Sequence, residues 1–380
     1  MTKHPLLRKK ISPKPIGKDF SVVDLIESSF FAFNSARLKE TCMLAENYFQ
    51  SENVTICLTL AGAMTPAGLG VSSIIPLIES GYIDFIISTG ANLYHDIHYA
   101  LNYPLYQSQP NHDDVLLRKD GIIRIYDILF PANVLYDTDA FVREILTTEP
   151  FQKTMGTSEF HYLLGNAVSQ VENQLDNKNS SILASAFRHK VPVYTSSPGD
   201  STFGLNLAAQ NLLKESKCQI DPSIDVNETS AIIWSAQSKG GKSAVIIIGG
   251  GSPKNFILQT EPHLIEIFGL PARGHDYFIQ FTDSRPDTGG LSGATPSEAL
   301  SWGKIDPEGL SKTIVAHIDS TIGFPIFTSY IMSKCKPKAK KNYYSNISDM
   351  MKKLESDAKK HSPPVEKHDL SDSIKFNSYQ

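Results

Sequence analysis

The run Ser297-Glu298-Ala299-Leu300-Ser301-Trp302-Gly303-Lys304-Ile305 sets a lysine behind a tryptophan and a glycine and ahead of an apolar stretch. A lysine amine attacks carbon only when it is neutral. An apolar, aromatic surround lowers the cost of neutrality near pH 7. Lysines are mostly exposed, so a Gly-Lys pair alone reads as a turn with a surface amine. Here the neighbours turn the reading toward a nucleophile.

Gly249-Gly250-Gly251 follows Ala244 to Ile248, the most strand-like run in the chain. Three glycines directly after a buried strand let a ligand approach the backbone closely, and a plain turn rarely needs three. The small-residue loops 62–70 and 89–92 also follow strand-like runs. Their backbone N–H groups suit a pyrophosphate, or the glycines only make tight turns, since the spacing G-x-G-x-x-G is absent. Gly240-Gly241-Lys242-Ser243 resembles the end of a P-loop. Position 236 is Ala, and the segment precedes a strand, so that reading fails. His95 and His98 share a helix face with Asp96 nearby, but no further cluster completes a ligand set, and no metal is expected.

Elements must place these loops together. Val54 to Leu60, Ile83 to Ser88, Val191 to Thr195, Ala244 to Ile248, Tyr277 to Phe281 and Thr313 to Ile318 read as short apolar strands. Helical spacing appears at Ser21 to Gln50, Val71 to Glu79, Leu205 to Leu213 and around Ser230 to Lys239. Buried strands alternating with helices predict an α/β fold with a parallel sheet covered on both faces. Ligands bind outside the carboxyl ends of such strands, where every loop named above lies.

The 380 residues carry 41% hydrophobic and 20% charged side chains, as a globular core requires. A net charge of -4 gives no reason to expect nucleic acid as a partner. Cys42, Cys57, Cys218 and Cys335 form no CxxC pair, which points to free thiols in a reducing compartment. Residues 1–17 are basic, without the apolar stretch of a secretory signal, and read as a flexible arm. No apolar run reaches the ~18 residues of a membrane helix, so a cytoplasmic protein without a membrane partner is expected. Residues 18–335 read as one domain. Residues 336–380 are rich in Lys, Ser, Asp and Pro and read as a disordered tail.

The segment Ser292-Gly293-Ala294-Thr295-Pro296-Ser297-Glu298-Ala299-Leu300-Ser301-Trp302-Gly303-Lys304 closely resembles the active-site segment of deoxyhypusine synthases. Asp84 to Asp96, Val191 to Gly204, Ala244 to Gly251 and Asp319 to Pro325 resemble that family's other segments in the same order, so the likeness runs from Leu25 to Lys334. It implies a doubly wound, mostly parallel, Rossmann-like sheet. It also implies an NAD-dependent transferase of aminobutyl-type groups, assembled as a homotetramer with sites at subunit interfaces. In that family NAD takes hydride from a polyamine. A lysine accepts the fragment as an enzyme-bound imine, and an amine acceptor receives it before reduction by NADH.

The resemblance puts Lys304 at the nucleophile position, with Trp302 walling the amine pocket and Glu298 holding an ammonium. It assigns NAD binding to Thr89, Gly90, Ala91, Asp200, Gly249, Gly250, Gly251, Ser292 and Asp319. The sequence also departs from the family pattern. Ala63, Met64 and Ala67 replace Ser, Asn and Ser, and His95 replaces Glu. Leu205 and Leu291 stand where spermidine-using enzymes have acids, and Asn255 where they have His. A buried ammonium without a partner is costly. The expected substrate is therefore a polyamine or related amine other than spermidine used in the usual way, and the acceptor, protein or small amine, is open. Alternatives are homospermidine-synthase-like transfer to a diamine, hydrolysis of a related amine, or a non-catalytic NAD-binding homologue.

Overall fold

The structure, a computed structural model, describes residues 10–364. Six strands form one sheet: β1 Val54–Leu60, β2 Phe85–Ser88, β3 Val193–Thr195, β4 Lys242–Ile248, β5 Tyr277–Thr282 and β6 Thr313–His317. Their spatial order is β6-β5-β4-β1-β2-β3, and every neighbouring pair is parallel. The register runs without slip from Val54 opposite Lys242 to Leu60 opposite Ile248. β1 is buried over its whole length. A strand covered on both faces needs this continuous apolar run instead of alternation.

Alternate residues feed two cores. Ile56, Leu58, Leu60, Ile246 and Ile248 point to a face covered by helices Phe33–Phe49, α1 (Gly90–Ala100) and, later in the chain, Ser320–Lys334. Cys57, Phe85, Val245, Ile247 and Phe278 point to the other face. There α2 (Pro222–Gln237), α3 (Gly251–Leu258) and α4 (Pro296–Ser301) pack, together with Ile305. A three-stranded antiparallel sheet built from Tyr106–Gln107, Ile122–Ile125 and Ile128–Pro131 stands outside the main sheet.

Ser21 to Gln50 is two helices, Val22–Ser29 and Phe33–Phe49, separated by extended backbone at Phe30 and Ala32. The expected disordered tail is corrected over most of its described part. Tyr343–Ala358 is a helix, α5, whose buried Ile347, Met350 and Leu354 lie along one side, with Met350 and Leu354 in the second core. The Lys-rich stretch before it is a strap. Lys338 donates its amide to Ser80 O (2.8 Å) and its ammonium to Ser51 O (2.8 Å). Lys341 pairs with Asp84 at 2.8 Å, where Asp84 also accepts the Ile56 amide. Tyr343 meets Thr55 across 2.7 Å. The remainder of the tail, 365–380, and residues 1–9 of the arm lie outside the described residues. Among the described residues no helix is long and apolar enough to cross a membrane.

Burial pushes the Asp84 carboxyl above its ordinary range, and Lys341 opposes that push. Lys341→Met should destabilise the fold by about 3 kcal/mol near neutral pH, because it leaves a buried carboxylate unpaired. Denaturant melts should show a smaller loss at about pH 5, where the orphaned carboxyl takes up a proton and sheds its charge. An equal loss at both pH values would show that the pair's charge is not what matters.

Candidate active site

Lys304 is delivered by a short helix and a turn. Thr295 caps α4 by accepting the Glu298 amide at 3.1 Å, with Pro296 in the first turn. Gly303 (φ +68°) ends the helix, in a conformation that other residues adopt only with strain. The Lys304 amide then donates to Ala299 O (3.0 Å), and the Lys304 carbonyl accepts from the His275 amide (3.0 Å). Ile305, fully buried, locks the next residue against the second core.

The Lys304 Nζ sits 5.3 Å from the Trp302 ring centroid and 3.4 Å from Asn255 Oδ1. A cavity of about 300 Å³ opens beside it, lined among others by Asn255, Leu258, Leu291, Glu298 and Trp302. The side chain is half-buried. Desolvation lowers its pKa, with Glu298 and Glu266 pulling partly the other way. Part of the population is thereby moved toward the neutral amine that can attack carbon. Trp302 is 60% exposed, so the indole forms one wall of the cavity without sealing it. Glu298 and Leu291 stand exposed at the rim.

Lys254 is a second lysine on this cavity, and no local motif in the sequence marks it. It is 2% exposed, and its ammonium donates to Gln280 Oε1 (3.0 Å), Ser292 O (3.3 Å) and Ala294 O (2.6 Å). Burial lowers its pKa to about 8. Near neutral pH it remains mostly charged and clamps loop 292–294 to the sheet. The Gln280 amide completes the clamp by donating to Gly249 O (2.8 Å) and Ser292 O (2.7 Å).

Of the other predicted residues, Thr89 to Ala91 and Gly249 to Gly251 follow the carboxyl ends of β2 and β4, which flank β1, while Asp200, Ser292 and Asp319 follow β3, β5 and β6. β1 lies between β2 and β4, so the chain turns outward in opposite directions there, the position where parallel sheets bind ligands. The Thr89 amide bonds Leu60 O (3.0 Å), and its hydroxyl donates to Gly62 O (2.6 Å) at the start of α1. Gly90 lets Ser201 close in, since a Cβ there would lie 2.2 Å from the Ser201 Cβ. Gly250 does the same for Ser292, whose Cα would meet a Cβ at 2.5 Å, and Ser292 Oγ accepts the Gly251 amide at 2.9 Å. The middle glycine thus admits a protein loop. Ala91 lies in the first turn of α1, and Asp200 and Asp319 are exposed, with Asp319 capping its helix through Thr321 (2.7 Å).

Asn92, fully buried, holds loop 61–65, and it too has no local signal in the sequence. It accepts the Met64 amide at 2.7 Å and donates to Ala61 O, Gly62 O and Thr89 Oγ1. Leu205 is 67% exposed and is not among the residues lining the Lys304 cavity. Asp96 accepts from Ile182 (2.8 Å) and Leu183, capping a helix start, instead of joining His95 and His98. The two histidine rings meet edge-on at 5.0 Å, and burial lowers the His95 pKa to about 4.

The fold is a mostly parallel α/β sheet with helices around it, with a half-buried lysine and a glycine-rich loop at the carboxyl ends of its strands. The deoxyhypusine synthase family model matches residues 23–331, and this chain belongs to that family. A deoxyhypusine synthase-like protein of Nostoc punctiforme is 58% identical over 351 residues, 92% of this chain and 90% of that one. A Methanosarcina acetivorans protein named "Probable deoxyhypusine synthase 2" is 36% identical over 318 residues, 83% and 88% of the two chains. A solved structure from Entamoeba histolytica under the deoxyhypusine synthase name shares the fold, with TM-score 0.56 at 15% identity over 86% of this chain and 99% of that one.

Lys254→Met should release loop 290–295 while leaving the sheet intact. Hydrogen exchange followed by mass spectrometry should show faster exchange there and in Gly249 to Gly251, with a global loss of about 2 kcal/mol from the orphaned carbonyls. Unchanged exchange in that loop would show that Lys254 is not its clamp.

Proposed function

We propose that this protein is an NAD-dependent transferase that takes an alkylamine fragment onto Lys304 as an imine and passes it to a second amine. The observation that carries the reading is the Lys304 Nζ, half-buried in a cavity, its pKa lowered by desolvation, and 3.4 Å from Asn255 Oδ1. The membership of the deoxyhypusine synthase family supports the same chemistry.

The carboxyl edge of the sheet fits NAD. Thr89, Gly90 and Ala91 at the start of α1, and Gly249, Gly250 and Gly251 at the start of α3, offer backbone groups and two helix N-termini for a pyrophosphate. The exposed carboxylates of Asp200 and Asp319 suit ribose hydroxyls. The amides of Met64 and Thr65 are committed to Asn92, and those of Gly249 and Gly251 to Phe281 O and Ser292 Oγ, which shifts the burden to Gly250 and to the first turn of α1. NAD, when bound, supplies the oxidant that turns an amine into an imine and later returns the hydride. Lys304, once neutral, adds to the imine carbon; loss of the leaving amine yields the lysine-bound imine. Asn255 orients the attacking nitrogen through its carbonyl oxygen, and Trp302 offers its ring face to a cation.

The cavity selects its amine by charge. Among its lining residues Glu298 is the sole carboxylate, set against Lys254 and Lys304, while Leu258 and Leu291 are apolar. Such a lining favours an amine with one ammonium over a fully charged polyamine. The exposed Leu291 and Trp302 fit the expected homotetramer, in which a second subunit covers this rim.

Incubation with NAD and a panel of amines, then borohydride, should give a mass adduct on Lys304 and NADH absorbance. Lys304→Arg should abolish the adduct and leave NAD affinity unchanged, because a guanidinium stays protonated. Leu291→Asp should raise trapping with spermidine relative to n-butylamine about tenfold, the effect of ~1.4 kcal/mol from one added carboxylate partner. No adduct and no NADH with any amine would leave a non-catalytic NAD-binding homologue as the reading.

A further inference from the structure

Behind Lys304, on the second face of the sheet, lies a buried polar cluster that the proposed chemistry does not use. Glu261 and His275 are both fully buried. Glu261 Oε1 accepts from the Gln237 amide of α2 (2.7 Å), and Oε2 accepts from the Gly274 backbone N–H (3.2 Å). His275 Nδ1 lies 3.7 Å from Glu261 Oε1 and 3.0 Å from Ser243 Oγ. His275 Nε2 faces Ile257 O at 3.3 Å.

The partners assign the tautomer. A carbonyl oxygen only accepts, so Nε2 carries the hydrogen and Nδ1 is the acceptor. Nδ1 then receives the Ser243 hydroxyl proton and faces Glu261. An ionised carboxylate would set its charge against that lone pair in a fully buried site. Burial pushes the Glu261 carboxyl up to about 8 and holds His275 down at about 4. Near neutral pH both are uncharged; the Nδ1 lone pair is taken by the Ser243 hydroxyl, so Glu261 lies beside the ring at 3.7 Å without a hydrogen bond to it. The charged groups around the pair are Asp276 and Arg273 on the approach to β5 and Asp306 beyond Lys304. Arg273 contacts both of these acids at 3.4 Å.

Two peptide links carry this cluster to the lysine. The His275 N–H donates to Lys304 O, and the Asp306 N–H donates back to His275 O, both at 3.0 Å. Together they bracket Ile305 in a parallel bridge with His275. Gly274 takes φ +91°, and a Cβ there would lie 2.4 Å from the Ile305 carbonyl carbon. The chain therefore crosses over Ile305 with no space to spare. Glu261 holds the Gly274 end of that crossing.

We infer that Glu261 and His275 are a positioning pair for Lys304: the Glu261 carboxyl holds the Gly274 N–H, Ser243 and Ile257 hold the His275 ring, and together these fix the 274–276 backbone that holds the Lys304 carbonyl and keeps its amine half out of water. This inference rests on Lys304 being the nucleophile, but its test needs no substrate.

The test is competitive acylation of the intact protein by acetic anhydride across a pH series, read by peptide mass spectrometry. Exposed Lys178 serves as the internal reference. In the wild type the Lys304 midpoint should lie below that of Lys178. Glu261→Leu should raise it toward that of Lys178 and slow Lys304 acylation near neutral pH by roughly tenfold, because fewer of the amines are then neutral. Glu261→Gln should stay within about twofold of wild type, because its carbonyl oxygen can still accept the Gly274 N–H while its amide N–H donates to Gln237 turned to accept. A purely space-filling role would not distinguish Gln from Leu in this way. Should Glu261→Leu not fold, Gln237→Leu, which loosens the same carboxyl from its other side, should move Lys304 in the same direction. A folded Glu261→Leu or Gln237→Leu with an unmoved Lys304 midpoint overturns the inference, as does Glu261→Gln behaving like Glu261→Leu. An amine panel that leaves Lys304 unmodified after borohydride would overturn the transfer reading and leave this one standing.

Discussion

A primary amine is a nucleophile only without its proton, and near neutral pH water strongly favours the protonated form. The arrangement around Lys304 answers that constraint by partial desolvation. The amine emerges from a helix end, a positive-φ glycine and a backbone bridge that together fix where its side chain starts. Its immediate neighbours are an indole face and an amide oxygen, and the nearby acids lie at the rim or beyond. Full burial would have made the lysine inert or forced a salt bridge, and full exposure would have left it protonated.

Lys254 shows the contrasting use of the same residue type on the same cavity. It is far more buried than Lys304 but surrounded by three carbonyl-type oxygens, so its ammonium remains hydrogen-bonded and serves as a clamp. Lys254 is held by three oxygens, whereas Lys304 has one such partner, Asn255 Oδ1. That difference in partners, more than depth, separates a structural cation from a candidate nucleophile. Through Ser292 the clamp also joins the lysine cavity to the glycine edge, so the amine and dinucleotide regions share one loop.

The parallel sheet was legible because each strand is a short apolar run closed by small residues. β1 matches its predicted limits, and β4 and β5 differ by two residues or fewer at either end. The candidate lysine was legible for a similar reason, since a dense local motif surrounds it. The tail helix was hidden by composition: Lys, Ser and Asp dominate, yet Ile347, Met350, Met351 and Leu354 keep the spacing of one apolar helix face. Reading that periodicity before the charge would have found it. Asn92, Lys254 and Glu261 carried no such local signal, because each acts on groups that lie far away in the chain.

The sequence by itself determined the alternation of strand and helix and the motif that bears Lys304. Those features are local, fixed by residue type and short-range spacing. Tertiary structure alone decided which lysine is clamped by three oxygens and which stands half-buried at an open cavity. It also decided that Leu205 stands apart from the cavity and that serine side chains fill the space left beside Gly90 and Gly250. Desolvation and hydrogen-bond satisfaction depend on atoms brought together from distant segments, and no window along the chain contains them.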